Sequence, residues 1–185
     1  MPEKNLSEEA QWFVKKLQEL QDDFAVAVGG QIVTTDKEGN LVTKMSGAQR
    51  VCQLIMATEK GKEKCGGAYK MALGLVKTMK EPAFMDCYAG YASLWVPIKI
   101  NDEIVGSITG CGGMYEKGMN KEELRNKFSA LADDLAIQDK EDFLKAAVDE
   151  IKPVTEEEMK NRAIKLAKLV ATLAEVDTIK EVFGV

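Results

Sequence analysis

Apolar residues at Phe13, Leu17, Leu20 and Phe24 recur at helical spacing within a polar stretch. Ser7 stands where an N-cap belongs, and Glu8 and Glu9 follow in the turn that favours negative charge. Gly29-Gly30 marks the end of that helix. Gln31 to Thr35 then predicts a strand, Asp36-Lys37-Glu38-Gly39-Asn40 a turn, and Leu41 to Lys44 a short returning strand. Helical pattern resumes from Ala48 to about Lys80, with an interruption expected at Lys60-Gly61 and a stop at Pro82. Ala83 to Cys87 predicts a short strand and Tyr88-Ala89-Gly90 a bend. The clearest hairpin is Leu94 to Ile100 with Glu103 to Thr109, joined by Asn101-Asp102, a pair suited to positive φ. Pro97 cannot donate to a ladder, so its amide faces away from a partner or a bulge lies nearby.

The remainder is helical: Asn120 to Leu135, Lys140 to Ile151 and Thr155 to about Thr178. Thr155 with Glu158 forms a capping box. Met159, Ala163, Leu166, Val170 and Leu173 make one apolar seam, expected to pack on the domain's own core, with a dimer seam as the alternative. This order of elements favours an α/β (α+β) fold, an antiparallel sheet of about five strands with helices packed on it. PAS and GAF sensor domains share that plan. The chain reads as one domain over 1–185, with a core at about 17–113 and a helical C-terminal extension at about 119–183.

Charge narrows the function. The net charge is −5, which argues against a broad nucleic-acid or anionic-membrane surface. Met1 to Leu6 is polar and gives no sign of a secretory leader, and no apolar run approaches the ~18 residues of a membrane span. The expectation is a cytoplasmic protein whose four cysteines are reduced. There is no histidine. Ser–His–Asp and Cys–His catalysis, His-based zinc hydrolysis and His-ligated haem are therefore excluded. A reactive-cysteine enzyme would need a thiolate activator that the sequence does not place near any Cys, so no enzyme is expected.

The cysteines are spaced C-x12-C-x21-C-x23-C, as Cys52, Cys65, Cys87 and Cys111. No CxxC pair is present, which disfavours a zinc ribbon or a thioredoxin-type motif. A two-residue turn at Asn101-Asp102 would pair Ile98 with Val105, Trp95 with Ile108 and Ala92 with Cys111. Cys111 then lies at the hairpin end remote from its turn, beside the bend that follows Cys87. Gly66, Gly90, Gly110 and Gly112 flank these thiols and offer close backbone approach and N–H donors. Phe84, Met85, Tyr88, Tyr91, Trp95 and Met114 gather at the same end, and Tyr88 and Trp95 are taken as candidate pocket residues. Four thiolates with N–H donors match the demand of an iron–sulfur cluster, 4Fe–4S in preference. Zinc, or no metal with the cysteines as small buried hydrophobes, are the alternatives.

Val51-Cys52-Gln53-Leu54-Ile55, Gly61-Lys62-Glu63-Lys64-Cys65, Asp86-Cys87-Tyr88-Ala89-Gly90-Tyr91, Val96-Pro97-Ile98 and Val105-Gly106 together resemble the PocR sensory domain. The likeness spans about Leu17 to Gly113. It implies a PAS-like ligand-sensing module, of a kind proposed to bind small organic molecules. Three family cysteines correspond to Cys52, Cys65 and Cys87. Tyr88 stands where the family has His, and Cys111 is an additional thiol.

The expectation is thus a stand-alone sensor holding a cluster through four cysteines and passing redox or ligand state to a protein partner or a second copy. The alternative is an apolar small-molecule module with structural cysteines. One geometric demand follows. Thirteen straight helical residues would hold Cys52 and Cys65 ~20 Å apart, so the chain must turn back between Thr58 and Gly61. All four sulfurs are expected within roughly 7 Å of each other, the span that four thiolates around one cluster require.

Overall fold

The computed structural model describes residues 6–115, 120–151, 153–173 and 176–185, with the backbone alone for Val28, Gly112, Tyr115 and Val176. Helix α1, Glu8–Val28, begins where Ser7 Oγ accepts the Ala10 N–H at 3.2 Å. It ends at Gly29, whose φ of 65° lets its N–H close on the Ala25 carbonyl. Strand β1, Gln31–Asp36, follows. The returning segment makes only isolated bridges, Thr35 to Leu41 and Ile32 to Ser46, rather than the expected strand. It is held by backbone hydrogen bonds, among them Ile32 N–H to the Ser46 carbonyl and Val42 N–H to the Thr34 carbonyl, each at 2.9 Å, and by Gln21, wholly buried on α1. The Gln21 amide donates to the Lys44 carbonyl at 2.9 Å and to Ser46 Oγ at 2.7 Å, and its oxygen accepts from Thr34 and Thr43. Side-chain hydrogen bonds thus reinforce an interrupted set of backbone ones.

The helical stretch that follows is two helices, α2 at Arg50–Met56 and α3 at Glu59–Met79. Thr58 caps α3, accepting the Gly61 N–H at 3.0 Å. Gly61 sits so close under α2 that a Cβ there would lie 2.0 Å from the Ile55 carbonyl oxygen. The break therefore lies at Ala57-Thr58, at the near edge of the expected segment, and the glycine permits it.

Strands β2 at Ala83–Asp86, β3 at Ala92–Ile100 and β4 at Glu103–Tyr115 complete an antiparallel set in the order β1-β4-β3-β2. Asn101 and Asp102 take φ of 47° and 65°, the expected left-handed pair. The register corrects the sequence expectation. Ile100 pairs with Glu103 and Lys99 with Ile104, but a bulge beside Pro97 shifts Ile98 to Gly106 and Trp95 to Thr109. A second shift places Ser93 opposite Cys111 and Ala92 opposite Gly113. The extra residue on β4 after Ile104 is what the two-residue turn alone could not show.

Helix α4, Lys121–Asp134, starts with a reciprocal capping box between Asn120 and Glu123. Helix α5, Lys140–Leu144, runs into a π-helical turn at Lys145–Asp149. Strand β5, Pro153–Val154, joins β4 in parallel, making the sheet mixed rather than purely antiparallel. Helix α6, Glu156–Leu173, begins at the Thr155–Glu158 box, with Glu158 N–H donating to Thr155 Oγ1 at 3.1 Å. Helix α7 is Val176–Phe183. Met119, Ala174 and Glu175, within the expected C-terminal helical region, lie outside the described residues.

Strand alternation divides the side chains between two faces. Ile98 and Ile108 pack with Phe13, Leu17, Leu166, Val170, Ile179 and Phe183, so α1, α6 and α7 cover one face. Leu94, Val96 and Ala163 extend that layer. Trp95 packs with Ala72, Val76 and Tyr69, placing α3 on the other face. A third cluster of Val51, Ile55, Tyr91, Phe128 and Phe143 joins α2, α4 and α5 at one end of the sheet. The α6 seam is buried at Ala163, Leu166 and Val170 within this chain's own core. The result is an α+β fold consistent with a PAS-like domain. Among the described residues, no helix is long and apolar enough to cross a membrane.

Candidate functional site

Four partly buried free thiols, Cys52, Cys65, Cys87 and Cys111, line one cavity between α2, α3 and the sheet. Each arrives by a local rule. On α2, Cys52, Ile55 and Met56 share a face at spacings of three and four, and all three line the cavity. On α3, Cys65, Ala68 and Tyr69 do the same. On β4, Thr109 and Cys111 are two apart and so share a face, with Trp95 and Ser93 opposite them and Gln31 paired to Cys111 on the far side. Cys87 ends the strand before a tight loop in which its N–H donates to the Tyr91 carbonyl at 2.8 Å and Gly90 N–H to the Cys87 carbonyl at 2.7 Å. Gly90 holds a φ of 86°, which closes this loop.

The cavity measures about 50 Å³, and most of its lining is apolar. That is roughly four times the space one water needs. Tyr88 and Tyr91 complete the lining from the Cys87 loop, as does Tyr69 from α3. Tyr88 Oη lies 3.6 Å from Cys65 Sγ. Lys64 Nζ stands 5.7 Å from the Tyr88 ring centre and 2.7 Å from Asp134 Oδ2, and Lys60 pairs with the same carboxylate. These ion pairs tie the start of α3 to the end of α4 beside the cavity. Tyr91 Oη donates to the Ala147 carbonyl at 3.1 Å, linking the cavity wall to the π-helical turn.

Burial governs the electrostatics. It pushes the Cys52 thiol up to about 12, with further contributions from Cys87 and Cys65. Cys111 is raised well above the ordinary range by burial, then by Cys52, Cys87 and Cys65. Cys65 is raised by burial and partly relieved by Tyr88. Cys87 is raised by burial against the opposing pull of backbone hydrogen bonds from Tyr91, Ala89 and Gly90. All four thiols, raised above the ordinary range, hold their protons at neutral pH. Two polar atoms in the same lining, Gln31 Oε1 and Thr109 Oγ1, are buried with no hydrogen-bond partner.

The sequence candidates divide accordingly. All four cysteines, Tyr88 and Trp95 meet at the cavity, and Tyr91 with them. Gly66 does not line it: a Cβ there would meet nothing within 4 Å. Gly110 opens onto the opposite face of the sheet, and Gly112 lies within β4. Phe84, Met85 and Met114 belong to neighbouring packing clusters. Among the described residues, no group of three or more His, Cys, Asp or Glu side chains is arranged to hold a metal ion. Sequence reasoning missed Gln31, Tyr69 and Thr109. Tyr69 was signalled by its place four residues after Cys65, and Thr109 by its place two residues before Cys111.

A comparison with curated proteins and one with solved structures each returned no match. The family model described as the sensory domain found in PocR matches residues 13–177. That span takes in most of α1, the sheet, all four cysteines and α6, so this chain belongs to the PocR sensory-domain family.

Proposed function

We propose that the thiol-lined cavity is the sensing site of this domain and that it holds an iron–sulfur cluster on Cys52, Cys65, Cys87 and Cys111. The observation that carries this is the convergence of every cysteine in the chain on one space from three separate elements. The donor set fits. Four thiols match a 4Fe–4S core, the Cys87 sulfur already sits among backbone N–H groups, and the Thr109 hydroxyl is unpartnered beside it. When bound, such a cluster supplies one-electron redox chemistry. The four thiols would hold the cluster and would lose their protons on binding it; among the described residues as they stand, no group of three or more such side chains is arranged to hold a metal. Tyr91 and the Lys60–Lys64–Asp134 contacts join the cavity wall to α4 and the π-helical turn, the surface from which a protein partner or second copy would read the state of the site. No catalytic group is invoked.

A second reading has its own support. The lining is nearly all apolar, and Gln31 Oε1 is an acceptor with nothing to accept. A small apolar molecule with one donor group meets both demands. The two readings separate in one preparation. Protein purified without oxygen from iron-replete cells is expected to be brown, with about four irons per chain, and to lose colour on Cys52→Ser or Cys111→Ser. A colourless, iron-free preparation removes the cluster and leaves the small-molecule sensor.

A further inference from the structure

Helix α1 buries one side in the core and leaves a second ordered stripe on the other. Trp12 and Val26 are the two most exposed large apolar side chains among the described residues, at 59% and 83%. Lys16, Glu19 and Asp23 lie between them at the same alternating spacing of four and three, so all five share one face. Beside that face runs a groove of about 270 Å³, lined by Trp12, Lys16, Glu19, Leu20 and Asp23 of α1 and by Leu173 of α6. Leu173 and Leu169, one turn before it, are exposed as well. Single exposed apolar residues need no explanation, but a Trp set on a groove, with apolar neighbours on both helices, has the composition of a contact surface.

The charges on the stripe identify its occupant. Lys15 and Lys16 stand in the first half of α1, and Asp22 and Asp23 in the second. Among the described residues, Lys16 has an exposed pair with Glu19 at 2.6 Å, while Lys15 and Asp23 make no ion pair. Lys16 and Asp23 are seven residues apart, ~10 Å along the axis, so they do not meet within one helix. A contact between identical surfaces about a two-fold axis must be complementary to itself. A stripe basic in one half, acidic in the other and apolar at both ends meets that condition when the two helices run antiparallel; run parallel, it would set like charge on like. We propose that α1 is the interface of a two-fold homodimer, with α1 of a second copy seated antiparallel on this groove. The helices cross near Glu19, which keeps its own Lys16 beside it. Trp12 of each copy then lies against Val26 of the other, and Lys16 of each pairs with Asp23 of the other. The interface is on the face of the sheet covered by α1 and α6, opposite the thiol cavity. It leaves that cavity and α4 uncovered, and it stands whatever the cavity holds.

Sedimentation equilibrium of the full-length chain, loaded from micromolar to millimolar, reads the association directly. The mass should rise from the 20.4 kDa of one chain toward twice that value, and less readily at high salt. Trp12→Ala, Lys16→Glu and Asp23→Lys should each weaken the dimer about tenfold or more. All three side chains are exposed, so each variant should keep the circular dichroism spectrum of the parent. The decisive sample is an equimolar mixture of Lys16→Glu with Asp23→Lys. In a dimer of one copy of each, both contacts join opposite charges again, so the mixture should associate about as tightly as the parent while neither variant does so alone. A parent that stays monomeric at every loading overturns the proposal. So does a dimer that Trp12→Ala or Lys16→Glu leaves equally tight, because it uses another surface. A mixture no tighter than its two components removes the antiparallel Lys16–Asp23 contact and overturns it as well.

Discussion

At Cys52 a single thiol carries much of the electrostatic character of the site. Burial, then Cys87 and Cys65, push it up to about 12 from an ordinary 9.0. In the unfolded chain the same thiol titrates near its ordinary value. Between those two values the unfolded chain gives up a proton that the folded chain keeps. The stability this thiol contributes is therefore complete below about pH 9 and is lost as pH rises toward 12. Cys111, Cys87 and Cys65, raised in the same direction, add the same sign. Urea unfolding of the metal-free protein from pH 7 to 11 should show stability falling above pH 9, by on the order of 1 kcal/mol per pH unit from Cys52. Cys52→Ala should fall less steeply. Parallel curves for the two proteins would remove Cys52 as a source of the effect. At this scale the sequence was most informative about the thiols, because four cysteines among 185 residues with no histidine leave few other ligands. Gln31 and Thr109 escaped it. A glutamine on a strand is ordinary until the register sets it beside Cys111, whereas Thr109, two residues before Cys111 on the same strand, shares its face by alternation alone.

The α2–α3 break is the element-level feature on which the site depends. It turns the chain back so that Cys52 and Cys65 reach one space, as the helical rise demanded. Two glycines of α3 should respond in opposite ways to the same substitution. Gly61→Ala would put a methyl 2.0 Å from the Ile55 carbonyl oxygen and 2.7 Å from Thr58 Oγ1, backbone and cap that have little room to move. A loss of roughly 3 kcal/mol is expected. Gly66→Ala meets nothing within 4 Å and removes a flexible residue from a helix interior, so a gain of roughly 0.5–1 kcal/mol is expected. Guanidinium unfolding midpoints of the two variants test both; equal effects would mean that helix propensity alone, not the α2–α3 contact, sets the cost. The helices themselves were legible from caps and apolar spacing. The β3–β4 register was not, because a bulge one residue past Pro97 changes which residues face each other without changing the turn that sequence can see.

Over the whole molecule, the C-terminal helices close the fold rather than append to it. Ile179, Val182 and Phe183 of α7 are buried with Phe13 and Leu17 of α1 and with Ile108 of the sheet. The two ends of the chain meet again where Ser7 Oγ donates to Glu181 Oε2 at 2.6 Å. Helical spacing predicted a single helix from Thr155 to about Thr178, where the described residues form α6 and a separate α7 that runs on to Phe183, and nothing local distinguishes a helix that seals a core from one that leaves it; that is decided by what lies opposite. Here the partner is Gly106, where a Cβ would lie 2.5 Å from the Phe183 ring and 2.3 Å from the Thr35 carbonyl oxygen. The ring therefore lies directly on the backbone of β4, at full burial. Phe183→Ala should cost about 3–5 kcal/mol, the range for emptying an aromatic site in a core that collapses only partly. Against a typical total of about 5–15 kcal/mol, that leaves a domain near its unfolding threshold. Urea titration followed by tryptophan fluorescence reads this through Trp95, buried on the opposite face of the sheet, and Trp12 on α1. A single transition at lower urea is the expected result, since α1, the sheet and α7 share one core. A change below about 1 kcal/mol, the size of an ordinary surface substitution or little more, would mean that α7 is not a closing element of the fold.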